Sequence, residues 1–316
     1  GDVIVGAFGY LTNQGRAYIY YGGSSMNSSA DVILTGASSN DVFGYSVSAA
    51  GGVNGDGYSD VIVGAYDYNA GTDIGSAYIY FGGASMNNAA DITLIGYSAG
   101  DKFGYSVSSA GDVDGDGYSD VIVGAYGYNG AAYQGRVYIF FGGSSMNSYA
   151  DVILTGVNSG DYFGRSVSGA GDMNGDGFDD VIVGADGYNV DQGRAYIFFG
   201  GSSINSTADV ILTGVNSGDY FGRKVSSAGD VNGDGYGDVL VTAFAYYSGF
   251  YKGRVYNYFG GNTVNNSADL IYTGEEEYDN FGISHSGAGD VNGDGLSDII
   301  IGASDFDITS NEGRAY

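Results

Sequence analysis

Cysteine, proline and tryptophan are absent from the 316-residue chain, and it has one histidine. Without cysteine there is no disulfide framework, no thiolate zinc site and no cysteine nucleophile. One histidine excludes a multi-histidine metal centre. Cations are scarce: ten Lys and Arg stand against 37 Asp and Glu, a formal net charge of −27. That balance excludes the nucleic-acid phosphate backbone as a partner, because such affinity needs clustered cations. No apolar run approaches the length of a membrane span. Simple disorder is excluded by a hydrophobic content of 43%, so the acid must be solvated or neutralised.

Glycine and tyrosine are abundant, with 60 Gly and 31 Tyr. They fall in an internal repeat, the first feature to seek in a chain of this composition. The pair Phe-Gly occurs at Phe43, Phe103, Phe163, Phe221 and Phe281, spaced 60, 60, 58 and 60 residues apart. Four β-rich runs follow in each unit. Run A follows Phe-Gly, and run B is Val-Ile-Val-Gly-Ala or a close variant at 61–65, 121–125, 181–185, 239–243 and 299–303. Run C is Ala-Tyr-Ile-Tyr-like and run D Val-Ile-Leu-Thr-like. Short runs of β-branched and aromatic residues between Gly, Asn, Asp and Ser predict strands. No sustained 3.6-residue period is present, so almost no helix is expected. Four antiparallel strands per unit of about 60 residues predict an all-β fold, a β-propeller of four-stranded blades. The chain reads as one such region over 1–316. It has a partial blade at 1–42, blades beginning at 43, 103, 163 and 221, and a partial blade at 281–316. Its ends fall inside blades, so it is expected to be part of a longer chain.

The loop between runs A and B carries the clearest chemistry. In 112–120 oxygen donors stand at positions 1, 3, 5 and 9 (Asp112, Asp114, Asp116, Asp120), with Gly117 at position 6 and the Tyr118 carbonyl at position 7. Alternate residues of a tight loop converge, and such an all-oxygen set suits Ca²⁺, whereas softer metals prefer His or Cys. The same scheme recurs as Asp172, Asn174, Asp176, Phe178 and Asp180; as Asp230, Asn232, Asp234, Tyr236 and Asp238; and as Asp290, Asn292, Asp294, Leu296 and Asp298. The first loop offers Asn54, Asp56, Tyr58 and Asp60, but Gly52 stands where position 1 should be Asp. Four or five Ca²⁺ ions are therefore expected, with the 54–60 site weakest. Five dications would bring the net charge from −27 to −17, relieving self-repulsion that opposes a compact state.

Phe-Gly, an acidic loop and then Val-Ile-Val-Gly-Ala resembles the FG-GAP repeat, the blade unit of integrin α-subunit propellers and their microbial relatives. The resemblance covers essentially the whole chain. It implies metal in the A–B loops on one face and partners on the other. The family's Gly-Ala-Pro is here Gly64-Ala65-Tyr66, Gly124-Ala125-Tyr126 and Gly184-Ala185-Asp186, and the fourth full unit departs further with Thr242-Ala243-Phe244.

With strands alternating up and down, A–B and C–D loops share one face, and B–C and D–A loops the other. The C–D loops are near copies and the B–C loops differ most, as expected where a repeat protein holds its frame and varies its recognition surface. Candidate ligand-binding residues are Tyr66, Asp67, Tyr68, Tyr126, Tyr128, Asp186, Tyr188, Tyr246, Tyr247, Asp305 and Asp307, an acidic and aromatic set suited to a protein or glycan partner. The Arg of Gly-Arg-Ala-Tyr (Arg16, Arg136, Arg194, Arg254, Arg314) is expected to be structural and paired with an Asp. His285 is expected to pack within run A. No nucleophile triad or phosphate-cradling loop is present, so no enzymatic activity is expected. The sequence thus predicts a Ca²⁺-stabilised adhesion or recognition propeller. It is placed outside the cell, where millimolar Ca²⁺ suits such loops. Alternatives are a structural subunit that self-assembles into a surface layer or filament, and a propeller-based carbohydrate-active enzyme.

Overall fold

The structure, a computed structural model, describes residues 1–24, 26–68, 72–246, 252–307 and 312–316, without side-chain placement for 131, 306 and 307. Among these residues lie 22 strands in six antiparallel sheets of propeller-blade type. Four sheets have four strands in sequential order, and the first and last have three. The second sheet is representative: Val47–Gly51, Asp60–Ala65, Ser76–Tyr80 and Ile92–Ile95 are runs A to D. Its register pairs Ile62 with Ile79 and Ala77 with Leu94. The only helical turns among the described residues are short, at Tyr10–Asn13, Gly130–Ala132 and Tyr188–Asp191.

The chain divides into two compact units, one of residues 1–109 with 116–155 and the other of 110–115 with 156–316. In both, the core lies between sheets stacked face to face. Ala17, Ile19 and Leu34 of the first sheet pack with Val63, Ala65 and Tyr80 of the second. Ile182, Ile197 and Leu212 of the fourth pack with Val239, Val241 and Tyr256 of the fifth. In the second to fifth sheets run B is buried on both faces, as a strand covered by neighbouring sheets must be; Asp120–Ala125 and Asp180–Ala185 have no exposed residue, whereas Val3, Val5 and Ile300 of the first and last sheets are exposed.

The recurrence of Phe-Gly with Gly-Ala has a steric cause. A Cβ on Gly64 would lie 2.0 Å from the carbonyl oxygen of Gly104, the Phe-Gly glycine of the next sheet. The same contact joins Gly6 to Gly44 and Gly184 to Gly222. Only glycine permits this backbone approach. Thr242 departs from the pattern by a different solution: its hydroxyl donates to the Gly282 carbonyl at 2.8 Å. The Phe of each pair packs edge-on against run C aromatics of its own blade, as Phe103 does with Tyr138 and Phe140.

His285 lies within run A, as expected, and is buried at the position filled by Val47, Val107, Val167 and Val225 in the other blades. Its Nδ1 is 2.8 Å from Ser226 Oγ, and its Nε2 has no protein partner. Burial pushes the imidazole pKa down to about 3, and the nearby Lys224 charge adds to the effect. An unfolded His titrates near 6.5. Between these values the unfolded chain binds the extra proton, so the stability present above pH 6.5 is lost as pH falls toward 3. The expected slope is at most about 1.4 kcal/mol per pH unit. His285→Val, which installs the repeat's own residue, is expected to flatten that part of the curve. Urea unfolding of both proteins at pH 7, 5.5 and 4 checks this, and parallel pH profiles would refute it.

Candidate metal loops and the opposite face

Each A–B loop is held by its own backbone. In 172–180 Asp172 Oδ1 accepts the Gly175 and Asp176 amides at 2.7 and 3.1 Å, and Oδ2 accepts the Gly177 amide at 2.9 Å. Asn174 Oδ1 accepts the Asp176 amide, and Asp176 Oδ1 accepts the Phe178 amide. The bonds of Asp230 and Asp290 repeat those of Asp172 within about 0.1 Å. Glycines at positions 4 and 6 have positive φ, 78° and 91° at Gly115 and Gly117, which is why those positions are glycine throughout.

The position-9 carboxylates are anchored differently. Asp180 accepts the Met173 and Gly200 amides, both at 2.8 Å, and Asp60 and Asp238 make the same pair of bonds. Asp60, Asp120, Asp180 and Asp238 are fully buried. Burial drives the Asp180 carboxyl up to about 7 and Asp238 up to about 6, against the two amides, with repulsion from the loop's other carboxylates adding to the rise. A cation in the loop would oppose both causes. In 112–120 carboxylate oxygens of Asp112, Asp114 and Asp116 lie within 4.8 Å of one another, so the donor set fits a hard divalent ion. In the first loop Asn54 and Asp56 bond to each other, and Gly52 brings no side-chain carboxylate to accept the loop amides as Asp172 does.

The two faces divide as expected. The C–D turn glycines reach the A–B loops, with the Gly143 amide on the Val53 carbonyl and Gly201 on Val113, both at 2.8 Å. The B–C loops instead bond the D–A loops, as Gly100 does with Thr72 and Gly218 with Val190.

On the B–C face the predicted residues have varied environments. In the first unit Tyr66 and Tyr126 join an aromatic cluster through Tyr45 and Tyr105. Ring centroids are 4.7 Å apart for Tyr45–Tyr66, 4.9 Å for Tyr45–Tyr105 and 4.5 Å for Tyr105–Tyr126. The Tyr45 hydroxyl donates to that of Tyr105 at 2.9 Å. Asp67 and Asp73 are bridged by Lys102 at 2.6 and 2.9 Å, and Tyr68 packs on Tyr78. In the second unit Asp186 is fully buried, and its Oδ2 accepts from both Arg165 and Arg223, at 3.2 and 3.1 Å. Asp305 accepts from Asn280 Nδ2 and Ser304 Oγ. Tyr247 lies outside the described residues, as does the side chain of Asp307.

Tyr128, Tyr188 and Tyr246 serve the frame. Arg136, Arg194 and Arg254 lie over their rings at 3.6 Å and donate through Nε to Thr155, Thr213 and Thr273. Arg16 lies over Tyr10 in the same way. The expectation that these arginines pair with Asp is corrected: the close contacts of Arg136, Arg194 and Arg254 are a ring and a threonine hydroxyl, and that of Arg16 is the Tyr10 ring. The carboxylates of Asp101 and Asp161 feel the charge without closing an ion pair. Arg314 does form one, with Glu275 at 3.0 Å.

Sequence reading missed Tyr45, Tyr105, Arg165 and Arg223. The signal was available, because all four directly follow Phe-Gly, and that position faces the residue following Gly-Ala. Tyrosine there meets tyrosine, and arginine meets Asp186.

Comparison with known proteins decides the family. Residues 43–80, 103–140, 163–198, 221–258 and 283–316 match the FG-GAP repeat. The chain belongs to the FG-GAP repeat family. It is 32% identical over 218 residues to integrin alpha-5 of Xenopus laevis, covering 64% of this chain and 20% of that protein. Integrin alpha-PS2 of Drosophila melanogaster is 34% identical over 219 residues, covering 63% of this chain and 15% of that protein. A bovine phosphatidylinositol-glycan-specific phospholipase D is 28% identical over 239 residues, covering 68% of this chain and 28% of that protein. The chain thus spans between about a seventh and under a third of these relatives. No helix among the described residues is long and apolar enough to cross a membrane.

Proposed function

We propose that this chain is a Ca²⁺-stabilised, non-enzymatic recognition module that works outside the cell. Its A–B loops hold four or five ions, and its B–C face binds a protein or glycan. The observation that carries this reading is the contrast between the two faces. The A–B loops repeat one acidic geometry from blade to blade. The B–C face changes from a tyrosine cluster to an arginine–aspartate cluster. Similarity to integrin α-subunits supports the same assignment.

Aromatic residues dominate binding energy at interfaces, and a central one contributes about 2 kcal/mol or more. Tyr45, 38% exposed within the cluster, is the test position. The wild-type chain is expected to bind at least one member of an array of extracellular matrix proteins and glycans in Ca²⁺. Tyr45→Ser should bind at least tenfold more weakly, measured below the onset of its melt because the lost ring contacts lower its stability. Equal binding by the variant would exclude the cluster as the recognition surface.

A further inference from the structure

The A–B loops are tied to one another in sequence order. The carbonyl at position 1 of one loop accepts the amide at position 8 of the next: Gly52 from Ser119 at 3.3 Å, Asp112 from Asp179 at 3.0 Å, Asp172 from Gly237 at 2.9 Å and Asp230 from Ser297 at 2.8 Å. The position-8 side chain can return the bond. Ser119 Oγ accepts the Gly52 amide at 3.2 Å, and Asp179 Oδ2 accepts the Asp112 amide at 2.8 Å. Position 8 is Ser59, Ser119, Asp179, Gly237 and Ser297 along the chain, so only one of these braces is charged.

Asp179 is pressed into this place. A Cβ on Gly111 would lie 2.2 Å from its Oδ2, so glycine leaves the room the carboxylate occupies. From there it feels the charges of both Asp112 and Asp172, the first ligands of two successive loops. A serine would supply the same hydrogen bond, as Ser119 does. The added feature is the negative charge, set beside the loop that has Asp at positions 1, 3, 5 and 9, where the others have two or three Asp at those positions.

We propose that Asp179 is an outer-sphere carboxylate shared by two metal loops. It strengthens divalent-cation binding in 112–120 and, to a smaller extent, in 172–180, and it makes 112–120 the tightest site of the chain. The inference rests on the assignment of these loops to a divalent cation. Affinity in oxygen-ligand loops rises with ligand charge and rigidity. Asp179 supplies both, a fifth negative charge and a fixed backbone for Asp112. It positions and attracts; its Oδ2 is turned to an amide instead of into the loop.

The test is a Ca²⁺ titration of the whole chain by calorimetry, comparing wild type with Asp179→Ser and Ser119→Asp. Asp179→Ser keeps the brace and removes the charge. It is expected to weaken the tightest class of sites about tenfold at unchanged stoichiometry, with a smaller loss in 0.5 M NaCl than in 0.05 M. A purely structural role would not produce that salt dependence. Ser119→Asp should tighten the weakest site, in 52–60, by transferring the same device. The metal-free Asp179→Ser protein should melt no lower than metal-free wild type, since it loses repulsion and keeps its bond. Unchanged Ca²⁺ affinities in Asp179→Ser would overturn the inference while leaving the loops as metal sites. Loss of one whole ion would overturn it in favour of direct ligation. A wild-type chain that binds no Ca²⁺ would remove the underlying assignment itself.

Discussion

Chelation of divalent cations is expected to lower the melting temperature of this protein by about 10–20 °C. An ion present at 100 times its dissociation constant adds about 2.7 kcal/mol to the folded state. Two filled loops in one unit then contribute about 5 kcal/mol, comparable to the whole stability of many domains. At roughly 2–4 °C per kcal/mol this gives the stated shift. The physical source is visible in the loops: carboxylates of Asp112, Asp114 and Asp116 converge within 4.8 Å, and burial, with repulsion from neighbouring carboxylates, raises the pKa values of Asp180 and Asp238. Calorimetric melts in 5 mM CaCl₂, 5 mM MgCl₂ and excess chelator, all in 0.15 M NaCl, separate specific binding from screening. Asp176→Asn and Asp234→Asn should each reproduce part of the loss. Asp56→Asn should change little, because its loop has Gly52 at position 1. Identical melts in Ca²⁺ and chelator would remove the metal from the account and leave the loops as hydrogen-bonded turns.

Asp186→Asn is expected to destabilise the second unit by about 3 kcal/mol. The wild-type carboxylate is fully buried and joins Arg165 and Arg223 through one oxygen. Removing its charge leaves two guanidiniums facing each other. Breaking a fully buried pair costs roughly 3–5 kcal/mol, and the lower end applies because the guanidiniums are 22% and 30% exposed. The triple variant Arg165→Tyr, Asp186→Tyr, Arg223→Tyr should recover most of that loss. It installs the residue type that the first unit carries at Tyr45, Tyr66 and Tyr105, where rings pack at 4.7–5.2 Å. Replacing a buried ionic set by packed apolar groups is often neutral or stabilising, whereas removing one partner is not. Urea unfolding of the three proteins checks both halves. A midpoint for Asp186→Asn equal to wild type would show the triad to be a solvent-screened surface pair.

Blades and acidic loops were legible from the chain alone, because both are local. Run B is apolar except at Thr242 and is preceded by Asp in each full unit, so strand and turn are fixed within a dozen positions. The acidic loops carry their ligands, their hydrogen-bond acceptors and their glycines within nine residues, and Asp172, Asp230 and Asp290 form the same bonds because the same local chain closes on itself.

The use of side chains between blades follows from the packing of the sheets. Tyr128, Tyr188 and Tyr246 look like recognition residues in a variable loop, yet each lies beneath an arginine of its own blade, at 3.6 Å. Asp186 stands in the same kind of loop and is buried by Arg165 and Arg223, 21 and 37 positions away. Asp179 looks like a spare acid within its loop, and it braces the preceding one across 67 positions. These contacts depend on how one sheet lies against the next. That distance is set by glycine backbones in close approach, and it decides which neighbour a long side chain meets from the sheet beside it.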